Sequence, residues 1–483
     1  MKPIHFLLLL SMVALSACSF STYDYSGIRE ISGPSDKYTD QEENPFVDVS
    51  EKPVSTFSID ADGASYANVR RFIQQDRQMP PKGAVRTEEL LNYFQLDYEF
   101  SPGAHPIALN GEVSACPWNA ANKLVRIGIK GQPILKEKLP ASNFVFLIDV
   151  SGSMSSNDKL DLLKNGFKYF VDGLSSTDRV AIVTYAGSAG VVLESTPGND
   201  KNKIKKAIDK LGSGGSTAGA EGIITAYKIA QENLIAGGNN RVVIGTDGDF
   251  NVGPSSQEEL VKLIEEKREL GIYLTVLGVG RGNLNDAMLE QIADNGNGTY
   301  EYIDNLAQLK KVFIYDYSKF YTVAKDVKVQ VEFNPDNVKA YRLIGYENRV
   351  LAQEDFEDDK KDAGEIGANQ NITALYEIVP NAAANANLSP TFVIDFRYKK
   401  PDSDQSNPLR LDIFDAGKTF HQSSDFMRFS ASVAAFSMLI TNSQYKGSSS
   451  YPEVSNWLNT VKLRDEHGFM VEFKTLVEAA KKL

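Results

Sequence analysis

The stretch Asn143-Phe-Val-Phe-Leu-Ile-Asp149-Val-Ser151-Gly-Ser153 decides the fold. It opens on an apolar run with almost no polar alternation. Such a run suits a strand buried on both faces, as in a parallel sheet with helices packed on each side. A carboxylate and two hydroxyls follow at alternate positions, where that strand ends. Ligands of open α/β sheets gather at those carboxyl ends. Every donor on offer is oxygen, the preference of a hard cation such as Mg²⁺.

Further strand-like runs lie at Arg179–Tyr185, 241–246 and Ile272–Val279, with helical patterns between them. Leu160, Leu163, Phe167, Phe170, Val171 and Leu174 share one helix face, and Ile204, Ala207, Ile208 and Leu211 share another. Ser256 to Glu259 reads as a capping box opening a helix that runs to Leu270. Strand alternating with helix over 141–320 predicts an α/β unit with a doubly wound, mostly parallel sheet, Rossmann-like in its layering. Two more pieces fall at its predicted ligand edge. Gly214-Gly-Ser-Thr217 is a glycine-rich loop before a helix and adds a hydroxyl. Thr246-Asp247-Gly248 ends a later buried strand and adds a second carboxylate. Asp249 and Asn251 just beyond it either shape the loop or support the site. Gly278-Val-Gly280-Arg-Gly282 lacks the full dinucleotide fingerprint and reads as a tight turn. Residues 212–222 contain no Gly-Lys-Ser/Thr, so no phosphate-binding loop and no nucleotide site is expected.

The flanks have another texture. Over 54–140 the pattern predicts a strand at 54–59, helices at 65–75 and 87–94, and half-buried strands at Ile107–Ala115 and 123–130. Asp60-Ala-Asp62-Gly63 reads as a capping turn rather than a calcium loop. Over 321–483 the chain turns β-rich, with strands at 326–333, Val338–Ile344, 372–379, 391–398 and 409–414, then helices at 426–440, 454–458 and 473–483. The acidic run 354–359 reads as a solvated loop. The shared alternation of the two flanks permits one sandwich into which the α/β unit is inserted.

The N-terminus carries Lys2, an apolar run from Phe6 to Ala14, and Leu15-Ser-Ala-Cys18. That run is shorter than the ~20 residues needed to span a bilayer, so 1–17 reads as a signal peptide. Leu-Ser-Ala-Cys resembles the bacterial lipobox, which implies lipidation of Cys18 and durable anchoring by several acyl chains. Residues 18–53 would then be the lipidated cysteine and a polar, disordered tether. Cys116 is left as a lone thiol, read as a small buried residue beside Pro117 and Trp118.

With 483 residues the chain exceeds one hydrophobic core. Its formal charge is −12, or −13 without Lys2, and there is no basic run. That balance argues against nucleic acid and against electrostatic adhesion to anionic lipid. Membrane contact is therefore expected through the lipid anchor only.

Asp-x-Ser-x-Ser, the later threonine and Thr-Asp-Gly together resemble the metal-ion-dependent adhesion site of von Willebrand factor type A domains. The resemblance implies that Ser151 and Ser153 ligate a divalent ion directly. It makes Thr217 a ligand directly or through water, and places Asp149 and Asp247 mostly one water away. The ion would be Mg²⁺, or Mn²⁺ or Ca²⁺. A nearly neutral shell of hydroxyls leaves such a cation electrophilic, and an Asp or Glu of a protein partner would complete it. Tyr66-Ala-Asn-Val-Arg-Arg71, Pro117-Trp-Asn119, Thr246 to Gly253, Val331-Glu-Phe-Asn-Pro335, Tyr341 to Tyr346 and Ala374-Leu-Tyr-Glu377 extend the likeness to nearly the whole mature chain. They resemble a YfbK-like family of bacterial lipoproteins with this domain in the middle. By that resemblance the chain is a cell-envelope adhesion module and not an enzyme, with Ser19 pointing to the outer membrane if the host has one. A scaffold with a purely structural metal site is the alternative. A metal-dependent hydrolase or phosphatase is less well supported. Ser151 stands where a phosphatase of the Asp-x-Asp kind needs a second carboxylate, no Gly-x-Ser-x-Gly elbow occurs, and His105, His421 and His467 lack ligand spacing.

Overall fold

The computed structural model describes residues 36–59, 62–215, 219–248, 257–359, 361, 363–382 and 389–483. The signal peptide, Cys18 and the start of the tether lie outside the described residues, as does Ser256 of the expected capping box.

The central sheet has six strands in the order Thr299–Ile303, Ile272–Val279, Asn239–Thr246, Ser142–Asp149, Arg179–Tyr185 and Ala189–Pro197. All neighbours are parallel except the last pair, which is antiparallel. Residues 142–149 are buried throughout, as the unbroken apolar run requires. Phe144, Phe146 and Ile148 face Phe167 and Phe170 of helix Leu160–Gly173, and Phe146 stacks on Phe167 at 4.3 Å between ring centroids. Val145 and Leu147 face the other way, into a cluster with Ile223, Ala226 and Tyr227 of helix Gly219–Glu232. From Ser142–Asp149 the chain builds outward on one side, then crosses to Asn239–Thr246 on the other. The strand order therefore reverses between these two, and the crevice beyond their carboxyl ends is the expected ligand position.

The flanks form one sandwich. Its first sheet, in the order Val47–Asp48, Val338–Ile344, Asn371–Pro380, Lys123–Gly131 and Ile107–Ala115, takes strands from both sides of the insertion. Lys123–Gly131 pairs antiparallel with Asn371–Pro380 along eight registered positions. The second sheet runs Gly364–Gly367, Thr322–Phe333, Phe392–Lys399 and Ser406–Ile413, with Val54–Ser58 also pairing along Thr322–Phe333. Phe57, Val329 and Phe333 from the second sheet share a core with Ile127, Tyr341 and Tyr376 from the first. The opposite face of the first sheet is covered by helices. Leu124, Ile344 and Leu375 pack there with Phe429, Phe436 and Phe473 of helices Asp425–Ile440 and Phe469–Ala480, and with Tyr66 and Leu90 from the N-terminal flank. The α/β unit leaves this body after Gly131 and rejoins it at Thr322.

The expected disordered tether is corrected over its described part, where Val47–Asp48 pairs with Val338–Ile344 and Asp36 accepts from Arg71 at 2.8 Å, because these residues find strand and charge partners on the folded body. Asp60 and Ala61 of the expected capping turn lie outside the described residues, and helix Ala64–Arg70 starts after Gly63. Asp62 is buried and accepts the backbone N–H of Tyr300 at 3.0 Å, tying the N-terminal flank to the edge of the central sheet. That helix continues past Arg70 as a wider π-turn over Arg71–Asp76.

Candidate functional site

Asp149 ends its strand with no exposed surface. Its Oδ1 accepts the backbone N–H of Ser151 at 2.8 Å, and its Oδ2 accepts the hydroxyl of Thr246 at 3.3 Å. The chain then turns through Gly152–Ser155, with Met154 buried as its anchor. This turn brings Ser151 Oγ and Ser153 Oγ to 3.0 Å from each other. Ser151 is buried and Ser153 faces solvent, so the pair spans the floor and the mouth of the crevice.

Asp247 follows the neighbouring strand and is also fully buried. Ser153 lies close enough to it to be among the groups that lower the Asp247 pKa. Gly248 makes the turn after it with φ +96°, and a Cβ there would meet the backbone N of Asn285 at 2.5 Å. Only glycine fits that conformation and that approach.

The glycine-rich loop is fastened to the same turn by its backbone. Gly152 N–H donates to Gly215 O at 3.1 Å, and Gly214 N–H to Val150 O at 2.7 Å. Thr217 itself lies outside the described residues. Four of the five expected site residues, Asp149, Ser151, Ser153 and Asp247, therefore meet at one point, and the loop that leads to the fifth is stitched to it.

Two environments divide the carboxylates. Burial pushes the Asp149 carboxyl up, with the nearby Asp247 charge adding to it and hydrogen bonding from Ser151 opposing it. Burial acts upward on Asp247 too. There, hydrogen bonds from Asn283, Lys159 and Ser153, together with the Lys159 charge, hold it below the ordinary carboxylate range.

Lys159, Asn283, Tyr185 and Thr246 are the members the sequence reading missed. Lys159 Nζ donates to Asp247 Oδ2 at 2.9 Å and to Asn283 Oδ1 at 3.2 Å. Thr246 stood in the quoted Thr-Asp-Gly motif, but its own bond to Asp149 depends on how the two strands register. Nothing in the local pattern marks the other three.

The donor set suits a small hard cation. Adjacent ligands of an octahedron with ~2.1 Å bonds stand ~3.0 Å apart, which is the Ser151–Ser153 spacing. Both carboxylates sit behind the hydroxyls. Among the described residues no group of three or more His, Cys, Asp or Glu side chains is placed to hold a metal. Any ion here would rest chiefly on hydroxyls.

Comparison with known proteins bears on the whole chain. Residues 143–313 match the von Willebrand factor type A domain family, a span containing all five site positions. Residues 33–126 match a family described as von Willebrand factor, and residues 318–483 match the YfbK C-terminal family. The Escherichia coli protein YfbK, itself uncharacterised, is 40% identical over 465 residues, covering 92% of this chain and 81% of its own. The chain belongs to the YfbK family.

Other similar proteins share less of the chain or less of its sequence. A magnesium-chelatase 67 kDa subunit of Chlorobaculum tepidum is 25% identical over 228 residues, covering 40% of this chain and 36% of its own. Among solved structures, a von Willebrand factor type A protein from Catenulispora acidiphila covers 78% of this chain and 98% of its own at 14% identity and a TM-score of 0.44. BatB of Bacteroides thetaiotaomicron covers 37% of this chain and 98% of its own at 24% identity and a TM-score of 0.32.

Proposed function

We propose that this YfbK-family chain is a cell-envelope lipoprotein that binds a protein partner through a divalent ion, Mg²⁺ or else Mn²⁺ or Ca²⁺. Ser151, Ser153 and Thr217 would hold the ion, with Asp149 and Asp247 behind them. The bound ion would supply an electrophilic seat for an Asp or Glu of the partner. The observation that carries this reading is the 3.0 Å approach of the Ser151 and Ser153 hydroxyls between two buried carboxylates at the sheet's switch point. Hydroxyls leave the cation's charge unspent, so an anionic group is the natural last ligand.

The role is binding rather than catalysis. The carboxylate expected of a phosphatase two residues after Asp149 is Ser151, and Asp247 is engaged by Lys159 rather than aimed at a reacting group. Anchoring rests on Cys18 as the lipidated residue, in the outer membrane of a host with two membranes. Among the described residues no helix is long and apolar enough to cross a membrane. Neither nucleic acid nor nucleotide belongs among the partners of so acidic a chain without a phosphate loop.

The test is partner capture from envelope extract by the immobilised protein in Mg²⁺, in chelator, and as Asp149→Ala. Capture only by the parent protein in Mg²⁺ is the expected result. Capture that survives chelator, with the chain still folded, would favour the scaffold reading and end this one.

A further inference from the structure

The buried ammonium at Asp247 is a feature that an ion-dependent site does not need. Lys159 immediately precedes helix Leu160–Gly173, and its residue is only 7% exposed. Its stem lies flat across Gly280, where φ is +75° and a Cβ would come within 2.2 Å of Lys159 Cε. Gly280 belongs to the Gly278–Gly282 turn, whose glycines fit no dinucleotide fingerprint. The seat for Lys159 accounts for this one. Asn283 Oδ1 steadies the ammonium at 3.2 Å, and Asp36 holds the same loop from its other side by accepting the N–H groups of Gly282 and Leu284 at 2.7 and 3.2 Å. The lysine is thus built in, with a fitted groove for its stem and a fixed acceptor beside its head.

We infer that Lys159 is an internal competitor for the divalent ion. Its ammonium already supplies the positive charge that Asp247 would otherwise draw from a metal ion. This rests on the ion-dependent reading above and adds to it how the site is regulated. With both carboxylates ionised, Asp149 and Asp247 present two negative charges, and Lys159 reduces the sum to one. The ion must therefore enter a site whose rear carboxylate is already compensated, and once bound it faces a like charge nearby. Two consequences follow. The metal-free site stays ordered, because Asp247 is never buried without a cation. Occupancy is weak enough to follow the ion concentration of the surroundings, so partner binding is conditional on it. The arrangement also leaves a bound centre with a net positive charge, which favours an acidic visitor.

The experiment compares the detergent-solubilised full chain with Lys159→Met, which keeps the stem over Gly280 and removes the charge, and with Lys159→Gln, which also keeps a hydrogen-bond donor. Free Mn²⁺ is counted by electron paramagnetic resonance, and thermal unfolding is followed in Mg²⁺ and in chelator. Both variants should bind Mn²⁺ more tightly than the parent, by about tenfold or more. Lys159→Met should melt lower than the parent in chelator and gain more from Mg²⁺. If the parent binds Mn²⁺ and the variants bind it equally or less well, the competitor role is overturned while the ion-dependent function stands. Binding by the variants alone would confirm the competitor and overturn the ion-dependent function of the parent. If none of the three binds, both readings fall. Should Lys159→Met not fold without metal, Lys159→Gln decides.

Discussion

Arg70 grips Asp304 with two parallel hydrogen bonds, Nε to Oδ2 at 2.8 Å and Nη2 to Oδ1 at 2.5 Å, and both side chains are buried. The pair joins the N-terminal flank to the segment leading into helix Leu306–Lys310. The same guanidinium reaches Glu472 of the C-terminal helix at 2.8 Å and Gln308 at 3.1 Å. One side chain therefore ties together three parts of the chain that are far apart in sequence. Removing it strands a buried carboxylate. Arg70→Ala should cost about 3–5 kcal/mol in chemical denaturation. The double change Arg70→Met with Asp304→Asn should cost less than the sum of its singles, because the fully buried carboxylate is no longer left charged without its partner. Additive losses would show that the two residues do not act as a pair.

Gly248 places Asp247 by a turn that a side chain cannot enter. Gly248→Ala should lose about 1–3 kcal/mol from the strained backbone, measured by thermal unfolding. It should also abolish any stabilisation by Mg²⁺ that the parent shows. A variant as stable as the parent would mean that the loop 283–285 yields freely.

Glu112 pins the start of helix Asp425–Ile440 from a strand three hundred residues earlier. It accepts the backbone N–H of Ser424 at 3.0 Å, the Ser424 hydroxyl, and Lys418 Nζ at 2.9 Å. Burial opposes its ionisation, but the bonds from Ser424 and Lys418 and the Arg126 charge win, and its carboxyl titrates below the usual glutamate range. A lowered folded value means that the stabilisation is complete above the unfolded value and fades as pH falls through the folded one. Glu112→Gln should therefore be less stable than the parent by about 1 kcal/mol at neutral pH. The gap should hold above the ordinary glutamate range and close as pH falls below it. A gap that does not change with pH would show that shape, not charge, holds the helix start.

Cys116 is 4% exposed, and burial pushes its thiol up to about 12, with the Glu377 charge adding to the effect. Disulfide-exchange reagents attack thiolates, so Cys116 should label only as fast as the protein unfolds. Peptide mapping after native and denatured labelling checks this. Fast native labelling would show that the segment around Trp118 opens locally.

Local pattern carried much of this protein. The run ending at Asp149 is buried on both faces, and the helix faces read at Leu160 to Val171 and at Ile204 to Ile208 are the ones that pack. Two edge strands of the central sheet escaped notice, as did the short edge strands Val47–Asp48 and Gly364–Gly367 of the sandwich. Ala189–Pro197 exposes Val191 and Val192, so its alternation is blurred, and Thr299–Ile303 is only five residues long. The bond from the Tyr300 amide to Asp62 was not legible either, because its donor lies far along the chain.

The sequence by itself determined most of the longer strands and helices, which faces they bury, and that two carboxylates and two serines stand where strands end. It could do so because side-chain period and turn chemistry act over a few residues. Only the tertiary structure decided that Lys123–Gly131 pairs with Asn371–Pro380, that Arg70 meets Asp304, and that Lys159 lies across Gly280 to reach Asp247. Those meetings follow from how the sheets and helices close against one another, and a charge buried by that closure takes whatever partner the closure brings within reach.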